Sequence, residues 1–107
     1  MKKKYYKILI AVPREKEAQD ITQELLEKKL IAGGYITKGL SMHWWKDKIN
    51  KEDYWSIRVY SVISNKDEII EVVKEMSSDE VPGIIFFKID DGNQDFLDWI
   101  GENIKTN

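Results

Sequence analysis

The stretch Met42-His43-Trp44-Trp45-Lys46-Asp47-Lys48-Ile49 decides how the middle of this chain is read. In a strand, successive side chains leave on opposite faces, so Trp44 and Trp45 cannot share one. Each indole is a large apolar surface with a single polar handle. One face of a small domain can bury one of them, and the other then needs a second covering surface. The run already implies a partner chain.

Working outward, Gly33-Gly34 opens an extended stretch that reaches Trp45. Asp47-Lys48 with Asn50-Lys51 supplies polar turn residues, and a second extended run covers Asp53 to Val62, making a long hairpin. In its second arm Trp55, Ile57, Val59 and Ser61 alternate with Ser56, Arg58, Tyr60 and Val62, a period of two with one face more apolar. Gly33-Gly34 matches neither G-x-G-x-x-G nor a G-K-[ST] ending, so close backbone packing or a bulge is its expected use.

On the N-terminal side, Tyr5 to Val12 is a near-continuous apolar run, which reads as a strand covered on both faces or at the sheet centre. Pro13 ends it. Ala18, Ile21, Leu25, Leu26 and Leu30 then recur at helical spacing, which predicts a helix from Arg14 to about Lys29. On the C-terminal side, Ser64 is the expected N-cap of a second helix, with Asp67 and Glu68 in its first turn and Ile69, Ile70, Val72, Val73 and Met76 as its buried stripe. Val81-Pro82-Gly83 leads into the strand Ile84 to Ile89, and Asn93 or Asp95 caps a last helix carrying Phe96, Leu97, Trp99, Ile100 and Ile104. The order β-α-β-β-α-β plus a terminal helix predicts an α+β, ferredoxin-like fold in one domain spanning 1–107.

Composition narrows the function classes. The 107 residues are 42% hydrophobic and 34% charged, an ordinary globular balance. Seventeen basic residues are interleaved with nineteen acidic ones for a net charge of −2, which disfavours nucleic acid as the main partner. With no cysteine there is no disulfide framework, thiol nucleophile or thiolate metal site. The basic start Met1-Lys2-Lys3-Lys4 reads as the guard of a strand rather than a signal peptide, and no stretch has the ~20 apolar residues of a membrane span. The expected location is the cytoplasm.

His43 is the only histidine, so a copper or zinc site would need it repeated by symmetry or joined by carboxylates. Its plainer use is a hydrogen bond in the hairpin or a subunit contact. Asp90-Asp91 with Asp95 and Asp98 resembles paired carboxylates, but turn and helix-start roles explain them, as loop solvation explains Asp79-Glu80. No serine has a G-x-S-x-G context, and a triad has a single histidine to draw on. Aromatic stacking of RNA on Tyr5, Tyr6, Tyr60, Phe86 and Phe87 lacks the required motif, so these residues read as core or interface. Taken alone, these residues describe a ferredoxin-like, oligomeric domain; with no nucleophile–base pair to assemble, an enzyme is not expected.

Three motifs in order give a resemblance. Ser41-Met42-His43-Trp44-Trp45-Lys46-Asp47-Lys48-Ile49 resembles the S-x-Y-x-W-x-G-K-I hairpin of the CutA divalent-cation-tolerance family. Glu80-Val81-Pro82-Gly83-Ile84-Ile85 is similar to its E-V-P-E-I-I, and Gly92-Asn93-Gln94-Asp95-Phe96-Leu97-Asp98-Trp99-Ile100 to its G-N-x-x-Y-L-x-W-I helix. Ala18 to Leu30 with Ile31-Ala32-Gly33-Gly34 takes the place of its L-A-A-C-V-N segment. The resemblance implies a homotrimer similar in architecture to the PII signalling proteins, with the hairpin strands pairing across subunits. Trp44, Trp45, Trp55, Pro82 and Trp99 then become assembly or structural residues.

The departures bear on function. Ser77-Ser78-Asp79 stands where the family has His-Pro-Tyr, its cysteine falls at Gly33 or Gly34, and its hairpin tyrosine is His43. The family's proposed metal histidine has no counterpart. What the resemblance implies is a CutA-like trimer in divalent-ion tolerance, homeostasis or signalling, with His43 the one remaining candidate ligand. The alternative is a PII-like small-molecule sensor or scaffold, whose clefts between subunits, lined by Trp44, Arg58 and Tyr60, would suit an anionic or aromatic ligand.

Overall fold

Strand β1, Tyr5–Val12, is buried where the apolar run predicts, with Ile8, Ile10 and Val12 fully inaccessible. Helix α1, Glu15–Glu27, follows Pro13, and its last turn closes as Lys29 takes a positive φ of 56° while Leu30 N–H donates to the Leu25 carbonyl. Strands β2, Gly33–Trp45, and β3, Lys48–Val62, form the hairpin. A short 3-10 turn, Ile63–Asn65, leads into α2, Lys66–Met76, and β4, Gly83–Lys88, precedes α3, Gln94–Glu102. This computed structural model describes residues 4–105, so the basic run read at Met1-Lys2-Lys3 lies outside the described residues.

The sheet is antiparallel with four strands in the order β2-β3-β1-β4, the ferredoxin-like arrangement. Its two faces are covered unequally. On one face Ile8, Ile10, Val12, Ile57 and Val59 pack against Ala18, Ile21 and Leu25 of α1 and Ile69, Val72 and Val73 of α2. On the other, Ile100 of α3 and the following Ile104 cover only Val62, Tyr5 and Tyr60. Beyond α3, Tyr35, Arg58, Ile85 and Phe87 of that second face stay open to solvent.

Buried Ser61, the polar member of an otherwise apolar row, donates its hydroxyl to the Leu30 carbonyl. Gly34 confirms close backbone approach, because a Cβ there would lie 1.8 Å from the Arg58 carbonyl oxygen. Gly33, at a φ of 152°, supports the indole of Trp99.

Two expected boundaries shift. The hairpin turn is Lys46-Asp47 alone, both at positive φ (49° and 65°), and β3 starts at Lys48 instead of Asp53. Two positive-φ residues suit the twist of a two-residue hairpin. The run Lys48 to Glu52, polar apart from Ile49, hides its strand character because neither of its faces packs into the core. Ser64 is not the cap of α2. It lies within the 3-10 turn, and Asn65 occupies the cap position with its amide directed inward to the Leu30 and Lys105 carbonyls at 3.4 and 3.5 Å.

Candidate functional site

The continuous register from Gly33–Tyr60 to Trp45–Lys48 extends the hairpin past the helices, giving the molecule a long axis of 47 Å. That extension has two unlike faces. Leu40, Met42 and Trp44, with Ile49 opposite Trp44, form an apolar row that the chain leaves uncovered. Trp44 is 72% exposed, so its own chain covers little of the indole. Ser41, His43 and Trp45 point the other way, with Glu52 opposite Ser41, Asn50 opposite His43, and Tyr54 next along β3.

The loop between α2 and β4 comes over this second face and closes a cavity of about 520 Å³, lined by His43, Trp45, Asn50, Glu52, Tyr54 and Asp79 among others. Tyr54 donates its hydroxyl hydrogen to Asp79 Oδ2 at 2.7 Å, and the Asp79 backbone N–H donates to Ser77 Oγ at 3.1 Å, so Tyr54 holds the carboxylate and Ser77 the backbone beneath it. The rings of His43 and Tyr54 meet edge to face at 5.5 Å. His43 Nδ1 shares a hydrogen with Ser41 Oγ across 2.8 Å, and its Nε2 stands 3.9 Å from Glu52 Oε1. Beneath, Ser78 N–H donates to Glu17 Oε1, while Glu17 Oε2 is buried without a hydrogen-bond partner.

These groups act on Tyr54. Its phenol is pushed well above its ordinary value of 10.0, first by desolvation, then by the hydrogen bond to Asp79 and the charges of Asp79, Glu52 and Glu17. The site is aromatic, anionic and poor in internal donors.

Of the residues expected to matter, His43 and Trp45 fall in this site and Trp44 at its edge. One chain does not bring Trp44, Arg58 and Tyr60 together. Trp44 pairs near the hairpin tip with Ile49, whereas Arg58 and Tyr60 pair with Tyr35 and Gly33 at the far end of β3. Tyr60 instead meets Phe96 of α3 at 5.1 Å, above a second hollow of about 320 Å³ that includes Lys7 and Phe87. Trp55 packs against the core with the Lys38 ammonium 5.7 Å from its ring, Pro82 closes the loop before β4, and Trp99 stacks toward Phe96 at 5.3 Å.

Two site residues escape the sequence reading, Tyr54 and Glu52, and a third, Asp79, is assigned there to loop solvation. Starting β3 at Lys48 places Glu52 and Tyr54 on the face of His43, so the correct turn is the signal that finds them. Asp79 is held by Tyr54 and not only by solvent. Asp91 and Asp98 keep local roles, accepting from the Gly92 amide and from Gln94 at 2.8 Å each.

A divalent metal ion asks for three or four protein donors in a closed site. Among the described residues no group of three or more histidine, cysteine, aspartate or glutamate side chains is placed to hold one. A tight metal centre is therefore not assembled by these residues of a single chain. Also among the described residues, no helix is long and apolar enough to cross a membrane.

Comparison with known proteins agrees with this architecture. The profile of the CutA1 divalent ion tolerance protein family matches residues 6–103. The divalent-cation tolerance protein CutA of Archaeoglobus fulgidus is 36% identical over 98 residues, covering 92% of this chain and 96% of that one. That of Thermus thermophilus is 32% identical over 97 residues, covering 90% and 94%. Among solved structures, a CutA from Archaeoglobus fulgidus described as periplasmic superposes with a TM-score of 0.91 at 35% identity, over 94% of this chain and 99% of that one. CutA1 from Pyrococcus horikoshii gives 0.89 at 26% identity over the same shares. With the family profile matching residues 6–103 and relatives above 30% identity covered almost end to end, this chain belongs to the CutA1 divalent ion tolerance family.

Proposed function

We propose that the protein works as a homotrimer, in PII-like architecture, and serves divalent-cation tolerance by binding rather than by catalysis. The apolar row Leu40, Met42, Trp44 and Ile49 carries this reading, each residue being more than half exposed on the face of the extension that its own chain leaves open. Contiguous exposed apolar surface of this kind is rare on monomers and marks an interface. The open sheet face with Tyr35, Ile85 and Phe87 offers a second contact. Residues 1–107 act in this reading as a single CutA-like domain.

The metal role follows the family name, with His43 as the nominated ligand. Since the described residues of one chain bring too few donors together, the remaining ones come from neighbouring subunits, as His43 copies or carboxylates. The cleft formed by Trp44, Arg58 and Tyr60 likewise joins residues of adjacent subunits. A cytoplasmic location completes the reading, and cell fractionation checks it against the periplasmic description of a relative.

Light scattering coupled to gel filtration tests the assembly. A mass of three subunits supports it, and a monomer at micromolar concentration overturns it. Calorimetry with copper and zinc salts tests the metal role, which fails if neither gives saturable heat.

A further inference from the structure

The cavity on the polar face of the hairpin has a chemistry that a metal ion would not require. Its volume of about 520 Å³ is on the scale of small-molecule pockets rather than that of a bare ion. The wall presents the rings of Trp45, Tyr54 and His43 beside the carboxylates of Glu52 and Asp79, and no lysine or arginine is among its lining residues. Aromatic faces and carboxylates both attract a cation, and neither imposes the short, fixed distances of metal coordination.

Two further observations agree with that polarity. Glu17 Oε2 lies buried beneath the site without a donor, and the combined field of Asp79, Glu52 and Glu17 helps hold the Tyr54 phenol from ionising. At the rim the chain itself supplies a precedent, with the Lys46 ammonium 5.6 Å from the centre of the Trp45 ring. The Tyr54 hydroxyl fixes Asp79 through Oδ2, which orients the carboxylate before any ligand arrives.

We propose that this cavity binds a small organic ammonium ion, with its alkyl body against Trp45 and Tyr54 and its charge met by Glu52 and Asp79. The ligand class goes beyond the divalent-cation reading and does not depend on it. His43 contributes ring edge and shape here, and its hydrogen bond to Ser41 keeps it in place.

The test uses the full chain in its solution assembly, titrated with n-butylammonium chloride and, separately, with its neutral isostere n-butanol. Nitrogen–proton spectra follow the four indole N–H signals. The expected result is a saturable shift of the Trp45 signal with butylammonium, at least about tenfold weaker for butanol. Glu52→Gln and Asp79→Asn should each weaken butylammonium binding about three- to tenfold while leaving the remaining spectrum folded. Equal response to both compounds, a response that survives both substitutions, or a Trp99 shift matching that of Trp45 overturns the proposal. So does the absence of any saturable shift. Light scattering on the same samples reports the assembly separately, so a failed ligand test cannot be confused with a failed trimer.

Discussion

Tyr54 and Asp79 join the base of the hairpin to the loop before β4 through a single hydroxyl-to-carboxylate hydrogen bond of 2.7 Å. The two residues are 25 positions apart in the chain. The bond fixes one wall of the cavity to the other.

Tyr54→Phe removes this donor and leaves a partly buried carboxylate to find water. A loss of about 1–2 kcal/mol in urea unfolding is expected. The pH dependence has a definite sign. The folded-state value of the phenol is raised above the unfolded value of 10.0, so its contribution is complete below pH 10 and declines as pH rises further toward the folded value. Stability measured from pH 9 upward should fall less steeply in Tyr54→Phe than in the parent chain.

Gly34→Ala should be among the most damaging small substitutions. Its Cβ would overlap the Arg58 carbonyl oxygen at 1.8 Å, and backbone cannot swing aside as a flexible side chain can. A loss of about 3 kcal/mol or more is expected. Gly39→Ala on the same strand is the control, since nothing lies within 4 Å of its Cβ, and it should stay within about 0.5 kcal/mol of the parent or gain slightly.

Met42→Lys combined with Ile49→Glu places charge in the exposed apolar row without touching the core. On the trimer reading, light scattering should show smaller species, and the melting temperature should lose its dependence on protein concentration. Glu52→Gln, on the opposite face, should leave the mass unchanged.

His43→Gln should lower copper or zinc affinity of the assembled protein by about 10- to 100-fold in calorimetry if His43 is a ligand. Removing metal with a chelator should lower the melting temperature of the metal-bound assembly by mass action without unfolding the chain, because the main hydrophobic cluster contains no metal ligand.

Asp47→Gly should stabilise the hairpin by about 0.5–1 kcal/mol, since Asp47 sits at a φ of 65° that glycine reaches without a Cβ penalty. Thermal unfolding checks it, and a decrease would mean that the Asp47 side chain has a role of its own.

Much of the architecture was legible because apolar periodicity reports burial. The Tyr5–Val12 run, the Ala18-Ile21-Leu25 stripe and the Ile69-Val72-Val73 stripe all pack where their spacing places them. The pattern lost its meaning in the hairpin extension, where neither face packs into the core and Lys48 to Glu52, apart from Ile49, are polar although they are strand. The site went with it. Glu52 and Tyr54 acquire their partners only once the turn is set at Lys46-Asp47, and Asp79 arrives from a loop whose path no periodicity encodes. Asn65 is a similar case, its inward amide answering carbonyls at Leu30 and Lys105 that are distant in the chain.

The alternation of the hairpin also constrains how its length can vary. Inserting one residue into β2 between Gly39 and Leu40 would reverse its arm, sending Leu40, Met42 and Trp44 to the cavity side and Ser41, His43 and Trp45 to the other while β3 kept its faces. Inserting two would only lengthen the arm. Length changes in this arm that preserve both surfaces therefore come in even steps, paired by equal additions to β3.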